Sequence, residues 1–402
     1  MSQPLLILSD VHLSRDYGQE AARDLAEVVH SHPHCEILLA GDVVDLTLDS
    51  ARVPVDVSLA SALRPHGQLV EALRNHIRTG GRLTLVPGNH DACLNHPEGT
   101  AQLRQLLEAQ NEASVQVLPW FVRRGPVHIE HGHLYDPDCA PNHPLADPNP
   151  RHEGLGNALM RRFVAPNDAY CFAHQNQTTM ASGVTRAFAE WGPRAPLVIA
   201  NYLQTALLLW GEATFKKGTV SREKRQGSHR LAAHAASQAV LQGALDELLA
   251  QAPSPTHHSS RDTFYRLYFD RVFSAFSMVT GVGLLASAGL ATALGAVPLV
   301  SSAGALTATG ALLSSVGAGY LTVSVTKTKN RYGHAVIKQL EQAAQTIAQS
   351  TGAGLVVMGH SHVEVDQPGY VNLGSFGFPR QGRPYLMVDT AGKHEKRWHA
   401  RA

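Results

Sequence analysis

Charged residues are missing from one long stretch of this chain of 402 residues. Residues 272–326 contain no Asp, Glu, Lys, Arg or His, a run of 55 residues. Pro298 divides the run, and each half is long enough to cross a hydrocarbon core of about 30 Å as a helix. Basic residues favour the cytoplasmic side, and they flank both ends: Arg261, Arg266 and Arg271 before, Lys327, Lys329 and Arg331 after. The pattern predicts a two-span membrane hairpin, with a hairpin buried in a homo-oligomer as the alternative.

Cysteine and excess charge are also scarce. The four cysteines are widely spaced along the chain, which excludes a disulfide framework and fits a reducing compartment. A net charge of +1 gives no strong field, so we expect no nucleic-acid partner. No signal peptide is visible before the first motif. The part of the chain outside the charge-free run is therefore expected in the cytoplasm.

The main positive feature of the sequence is a set of five short apolar runs, each followed directly by polar residues. Each run is typical of a short buried strand. In open α/β sheets, sites form at the carboxyl ends of the strands, so the five polar ends are expected to converge. Capping or loop chemistry would explain any one of them, but not five in this order. The segments are LLILSDVH (5–12), EILLAGDVVD (36–45), TLVPGNHDACL (84–94), VHIEHGH (127–133) and LVVMGHSH (355–362).

The side chains at these ends are a set of metal donors. Imidazole, carboxylate and amide oxygen together suit Mn, Fe, Zn or Co, and no cysteine sits in a ligand pair. The donors are too many for one ion. A carboxylate shared by two ions about 3.5–4 Å apart would use them all, and that is the geometry of two-metal phosphoryl hydrolysis.

The five segments resemble the signature blocks of the calcineurin-like metallophosphoesterases. "DVH", "GDVVD", "GNHD", "HGH" and "GHSH" match in order, and YVNLGSFGFPR (370–380) resembles the family's Asn-x-Gly-Ser turn. The resemblance covers residues 1–135 and 353–391. It implies an α/β fold, a four-layer α/β/β/α sandwich with two mixed sheets, and a site for two divalent metal ions. Manganese is the first expectation, with iron, zinc or cobalt as alternatives.

The resemblance also assigns metal ligands. Three side chains would hold one ion, three others would hold the second, and one carboxylate would bridge both. The first group is Asp10, His12 and His362, the second is Asn89, His131 and His360, and the bridge is Asp42.

Further roles follow for residues beside the ligands. His90 would be the catalytic histidine that protonates the leaving oxygen, and Asp91 would orient it, as carboxylates commonly fix a histidine tautomer. His133, where relatives vary, would be a substrate contact or a spare ligand. Asp45 and Asp136 are further candidates for substrate binding, although ordinary turn chemistry would also account for Asp136.

The middle of the chain is where the resemblance stops. Residues 1–135 and 353–402 are predicted to form the two parts of the core, and residues 136–352 a large, mainly helical insertion that includes the hairpin at 272–326. Residues 134–154 are rich in proline and should wall the site. Residues 196–211 suit a buried or interfacial helix. The basic segment 216–230 is either a solvated surface or one for anionic lipids or substrate phosphates.

The expected function is hydrolysis of a phosphodiester, pyrophosphate or phosphomonoester bond at the cytoplasmic side of the inner cell membrane. The substrate would be a phosphorylated small molecule, a nucleotide or a lipid-linked compound. UDP-2,3-diacylglucosamine pyrophosphatases are similar in plan, although they carry Arg in place of His90 and lack a two-span hairpin. The alternatives are a membrane-sited regulatory phosphatase acting on protein or nucleotide, and a non-catalytic scaffold.

Overall fold

The computed structural model describes residues 3–149, 153–169, 189–215, 217–267, 307–313, 315 and 333–400. The chain divides into two compact units. The first comprises Met1–Asn176, Phe215–Pro255 and Ala335–Ala402, and the second comprises Gln177–Thr214 and Thr256–His334. The domain limits expected from the sequence, at residues 135 and 352, stay a prediction.

The strands of the first unit form two mixed sheets. One sheet has the order β11-β10-β1-β2-β3-β4 and the other has the order β5-β6-β7-β9-β8. Strands β1 to β4 pair in parallel, whereas β10 and β11 are antiparallel additions. The bounds are β1 (Leu5–Leu8), β2 (Glu36–Leu39), β3 (Arg82–Leu85), β4 (Val115–Val117), β5 (Phe121–Arg124), β6 (Val127–Glu130), β7 (Leu355–Met358), β8 (Glu364–Gln367), β9 (Tyr370–Leu373), β10 (Arg383–Val388) and β11 (His394–His399).

Helices connect and cover these sheets. A one-turn π-helix, Met160–Val164, continues directly from the short helix α5. In the described part of the chain the α-helices are α1 (Gln19–Ser31), α2 (Val55–Leu63), α3 (Gly67–Arg78), α4 (Pro97–Leu106), α5 (Leu155–Leu159), α6 (Ala195–Phe215), α7 (Lys217–Ser237), α8 (Gln242–Gln251), α9 (Ser260–Phe264) and α10 (Gly333–Thr351).

The alternation of side chains along β1 separates two hydrophobic cores. Leu6 and Leu8 belong to the core that also contains Leu25 of α1 and Leu69 of α3. Leu5 and Ile7 point to the opposite face, into a core shared with the second sheet. Because successive side chains of a strand face opposite ways, a run of four apolar residues is what a strand buried on both faces requires.

The second sheet repeats this arrangement and completes the layers. In β7, Leu355 and Val357 lie in the core between the sheets, while Val356 and Met358 lie in a third core with residues of α7, α8 and α10. On α10 the core residues Val336, Leu340, Ala343, Ala344 and Ile347 follow the spacing of a helix with one apolar face. Helix, sheet, sheet and helix therefore stack in that order, which confirms the predicted four-layer sandwich.

The predicted membrane hairpin falls outside this description. Of residues 272–326, only 307–313 and 315 belong to the described part of the chain. Among the described helices, none combines the length and the hydropathy of a membrane span.

Candidate metal centre

The polar ends of strands from both sheets meet at one place. His12 follows β1 of the first sheet and His362 follows β7 of the second, and their Nε2 atoms lie 3.0 Å apart. Asp42 follows β2 and His131 follows β6, and the Asp42 Oδ2 to His131 Nε2 distance is 3.1 Å. The five strand ends that the sequence singles out thus converge on the facing edges of the two sheets.

The backbone at this place is held in an unusual conformation. Left-handed φ values are uncommon for residues other than glycine and cost free energy unless the surroundings impose them. The strain coincides with predicted ligands, which indicates that the loops are shaped to aim their side chains. The φ values are 54° at Asp10, 53° at His12, 51° at Asp42, 68° at His360 and 55° at His362.

Two glycines of the motifs make room for the carboxylates. A Cβ atom on Gly88 would lie 2.2 Å from Asp42 Oδ1, and one on Gly359 would lie 2.2 Å from Asp10 Oδ2. Both distances are far below van der Waals contact. The glycine before "NH" and the glycine before "HSH" are therefore required because another strand's carboxylate packs directly against the backbone.

The first group of donors is Asp10, His12 and His362. Asp10 Oδ1 lies 3.2 Å from His362 Nε2 and 3.8 Å from His12 Nε2. The Asp10 carboxylate also accepts hydrogen bonds of 3.2 and 3.0 Å from the backbone N–H of His360. This group matches the first ligand set implied by the family resemblance.

The second group is built around Asp42 and His131. His131 Nε2 lies 3.3 Å from the side-chain oxygen of Asn89. Ligand atoms of Asp42, His131 and His360 lie within 4.8 Å of one another, and a donor atom of Asp42 is equally close to donors of His12 and His90. Asp42 therefore adjoins both groups, where a bridging ligand would have to be.

Hydrogen bonds behind the histidines fix which ring nitrogen faces the centre. The Nδ1–H of His12 donates to Asp45 Oδ1 at 2.8 Å, and the Nδ1–H of His131 donates to the Ala40 carbonyl oxygen at 3.0 Å. In each histidine, Nε2 is then the unprotonated nitrogen, and its lone pair faces the other predicted metal ligands. This is the usual arrangement of a metal-binding histidine.

Asp136 has the same relation to His360. The Nε2–H of His360 donates to Asp136 Oδ2 at 2.9 Å, which leaves Nδ1 for a metal. The sequence predicts substrate contacts for Asp45 and Asp136. The structure places each carboxylate against a histidine that is a predicted ligand, and the substrate contacts stay a prediction.

The predicted partner of His90 is corrected. The carboxylate of Asp91 accepts hydrogen bonds of 2.7 Å from the backbone N–H of Gly88 and of Val43. It therefore holds the backbone of these two loops and does not orient His90. Asp45 Oδ1 lies 2.8 Å from His90 Nδ1 instead. Adjacent residues of a tight turn point in different directions, so Asp91 ties the β2 loop to the β3 loop while Asp45 reaches His90 from another segment.

Residues 3–193 match the family model described as calcineurin-like phosphoesterase. The chain carries a calcineurin-like phosphoesterase domain. The protein is a metal-dependent phosphoesterase. Proteins of this family typically bind two divalent metals, which agrees with the two His/Asp groups. A comparison with curated proteins gives no match.

The electrostatics of the phosphoesterase site fit a cation. Burial alone would raise the pKa of Asp10, but neighbouring imidazoles, above all His131, hold it well below its ordinary value. Burial would lower the pKa of His131, but the charges of Asp42 and Asp10 outweigh burial and raise it to about 9. The negative potential of the buried carboxylates thus stabilises positive charge in the site, and it would stabilise divalent cations bound there in the same way.

Sequence reasoning missed Asn157, which belongs to α5 in the insertion. The side-chain N–H of Asn89 donates to Asn157 Oδ1 at 2.8 Å, and Asn157 Nδ2 donates to the Asn89 carbonyl oxygen. This pairing turns the Asn89 side-chain oxygen toward His131. No motif surrounds Asn157, so the sequence carries no local signal for it.

The last two predicted positions are near the centre. Asn372 Nδ2 donates to the Gly359 carbonyl oxygen at 2.7 Å, so the turn at 370–380 supports the β7 loop. The ring centroid of His133 lies 5.4 Å from that of His131 and 6.5 Å from that of His360. His133 is in neither donor group and lines a neighbouring cavity of about 330 Å³, together with Asn89 and His90.

Proposed function

We propose that this phosphoesterase hydrolyses its substrate at a dinuclear centre bridged by Asp42. Asp10, His12 and His362 would hold one ion, and Asn89, His131 and His360 the other. The observation that carries the proposal is the position of Asp42, whose donor atoms adjoin both groups. When bound, two divalent ions would activate a water molecule and offset the charge of the phosphoryl oxygens.

Protonation of the leaving oxygen would be the task of His90 and Asp45. Attack of water on phosphorus forms one P–O bond and breaks the bond to the leaving oxygen. That oxygen departs as an alcohol if it receives a proton. His90 lines the cavity beside the donor groups, and its Nδ1–H is held by Asp45, so Nε2 is the nitrogen that would deliver the proton. Asp45 stabilises the charged imidazole before the transfer.

The experiment is an assay of purified protein with Mn²⁺ against phosphomonoesters, phosphodiesters and nucleotide pyrophosphates. We expect hydrolysis that is abolished by a chelator and restored by Mn²⁺, with Fe, Zn or Co as the alternatives that the same donor set accepts. Activity that persists after complete removal of metal would contradict the proposal.

We also propose that the protein works at the cytoplasmic side of the cell membrane. The charge-free run of 55 residues at 272–326 supports this. Helix α6 of the second unit supports it independently, because its one charged side chain is Glu212 and because Leu197, Leu207 and Leu208 are 60%, 57% and 57% exposed. Exposed leucines on a weakly charged helix are typical of a surface that contacts a membrane or another protein.

Fractionation tests the membrane proposal. The full chain should stay with membranes through high salt and alkaline carbonate and leave with detergent. A charge within the run, Leu285→Arg, should cost about 2.5–3.5 kcal/mol of insertion free energy and weaken retention. Excision of residues 272–326 should give a protein that keeps its metals and its activity on a water-soluble substrate. Full-length protein that fractionates without detergent would refute membrane insertion.

A further inference from the structure

The cavity beside His90 has the position of a leaving-group site. Its volume is about 330 Å³, and its lining includes Asn89 and His90 but neither Asp10 nor His362. A proton donor must lie against the oxygen that departs. The group attached to that oxygen would therefore extend from His90 into this cavity.

The charged residues that line the cavity are largely paired. Asp49 lies 2.7 Å from Arg15 and Asp147 lies 2.6 Å from Arg230. Among the lining residues, all within the described part of the chain, the acidic ones outnumber the single arginine, Arg161. Its guanidinium donates to Glu153 at 2.9 and 3.2 Å, so its charge is already matched. The acidic residues of the lining are Asp49, Glu98, Asp147, Glu153 and Glu223.

Part of the remaining wall is apolar and partly withdrawn from solvent, beside serine, asparagine and histidine residues. Val53, Val55, Pro119 and Trp120 line it, and Trp120 is buried. An anion placed here would lose hydration without gaining a lysine or an unmatched arginine from the lining. An uncharged group would lose little and would contact apolar surface.

We propose that this cavity selects an ester whose leaving group is an alcohol with no negative charge and an apolar part. The proposal rests on the phosphoesterase function with His90 on the leaving-group side. It disfavours substrates whose departing group is itself a nucleotide or another phosphate, and so favours phosphomonoesters and phosphodiesters of neutral alcohols over pyrophosphates.

A matched pair of substrates tests the selection. The compounds are 4-(carbamoylmethyl)phenyl phosphate and 4-(carboxymethyl)phenyl phosphate, which have nearly the same shape and similar phenol acidity but differ by one negative charge. With Mn²⁺ bound, kcat/KM should be about tenfold higher for the amide, because a carboxylate that loses part of its hydration without gaining a cationic partner is disfavoured by at least that factor.

A pair of variants locates the effect. Val53 is 36% exposed and lines the cavity, whereas Val57, on α2, is 53% exposed and does not. Val53→Lys should raise kcat/KM for the carboxylate several-fold and narrow the preference, and Val57→Lys should leave it unchanged. Both sites are exposed enough to accept lysine without loss of fold.

The outcomes separate the two proposals. Equal kcat/KM for the amide and the carboxylate in the unmodified protein would overturn the cavity assignment and leave the phosphoesterase function standing. An equal response of Val53→Lys and Val57→Lys would also overturn it, because a general change of surface charge would then explain the preference. If neither compound is hydrolysed, the same pair is compared as methyl phosphodiesters, and failure of all four compounds, with two metals bound, would contradict the proposed function itself.

Discussion

The metal side and the cavity side of the site are encoded differently. On the metal side, short motifs directly follow buried strands, and the backbone holds several predicted ligands at positive φ. On the cavity side, the wall adds to residues 87–90 parts of the α2 region, of residues 139–149 and 153–161, and Glu223 of α7, without a repeated pattern. The residues of the proposed chemistry therefore lie in short motifs next to single strands, whereas the cavity for the substrate is formed by segments that are far apart in the sequence.

Loss of the shared carboxylate should have the largest effect. Asp42→Asn is expected to lose both ions and nearly all activity, because Asp42 adjoins both donor groups. Elemental analysis and the rate of ester hydrolysis measure this. The matched control is Asp56→Asn, an exposed aspartate on α2, which should change neither. Two ions retained by Asp42→Asn would contradict the bridge.

Removal of the proposed acid should come next. His90→Ala should keep both ions and lose roughly 10²–10⁴ in kcat on an alkyl phosphate, the usual contribution of general acid catalysis. The loss should be smaller on p-nitrophenyl phosphate, whose leaving group needs less protonation. Asp45→Asn should show the same dependence on the leaving group, since Asp45 holds His90 Nδ1. Equal losses on both substrates would mean that His90 only binds the phosphoryl group.

A methyl group on Gly88 should weaken the centre without replacing any of the proposed ligands. In Gly88→Ala the new Cβ would lie 2.2 Å from Asp42 Oδ1, so the carboxylate must move. We expect metal affinity to fall about 100-fold, at the upper end of what displaced supports cost. Gly243→Ala on α8 is the control, because a Cβ there meets no atom within 4 Å. Unchanged metal affinity in Gly88→Ala would show that the contact is not needed.

Asn157→Ala should have the smallest effect of this series. The residue Asn157 links the metal side of the site to the cavity side. Asn157 holds the Asn89 amide but belongs to the insertion. We expect about a tenfold loss of metal affinity, in the range of such supporting residues, with the fold intact. Asn167→Ala is the comparison variant, because the Asn167 side chain donates to the nearby Phe163 carbonyl oxygen and lies outside the cavity lining. Equal affinities in the two variants would remove Asn157 from the centre.

The layers of the fold followed from the sequence because each buried strand is a short apolar run. The four residues of β1 and the four of β7 are apolar throughout, so both faces had to be covered, and the motifs after them had to lie at strand ends. The converging donor groups followed from that placement and from the family resemblance. Their roles as ligands stay predictions that metal analysis must test.

The parts that could not be predicted depend on contacts between distant segments. Asp91 follows His90 in sequence, but its carboxylate turns to the backbone of Val43 and Gly88. Asp45 reaches both His12 and His90, and neither contact has a spacing that a motif would reveal. Asn157 lies 68 positions after Asn89, beyond α4 and strands β4 to β6, so only tertiary structure brings the two side chains together.

The most direct test of the dinuclear centre is electron paramagnetic resonance of protein loaded with two equivalents of Mn²⁺. Two ions that share the Asp42 carboxylate are magnetically coupled, so the account predicts the broad multiline signal of an exchange-coupled pair. It also predicts that Asp42→Asn abolishes that signal. A six-line spectrum of isolated Mn²⁺ accounting for both equivalents in the unmodified protein would contradict the bridged centre.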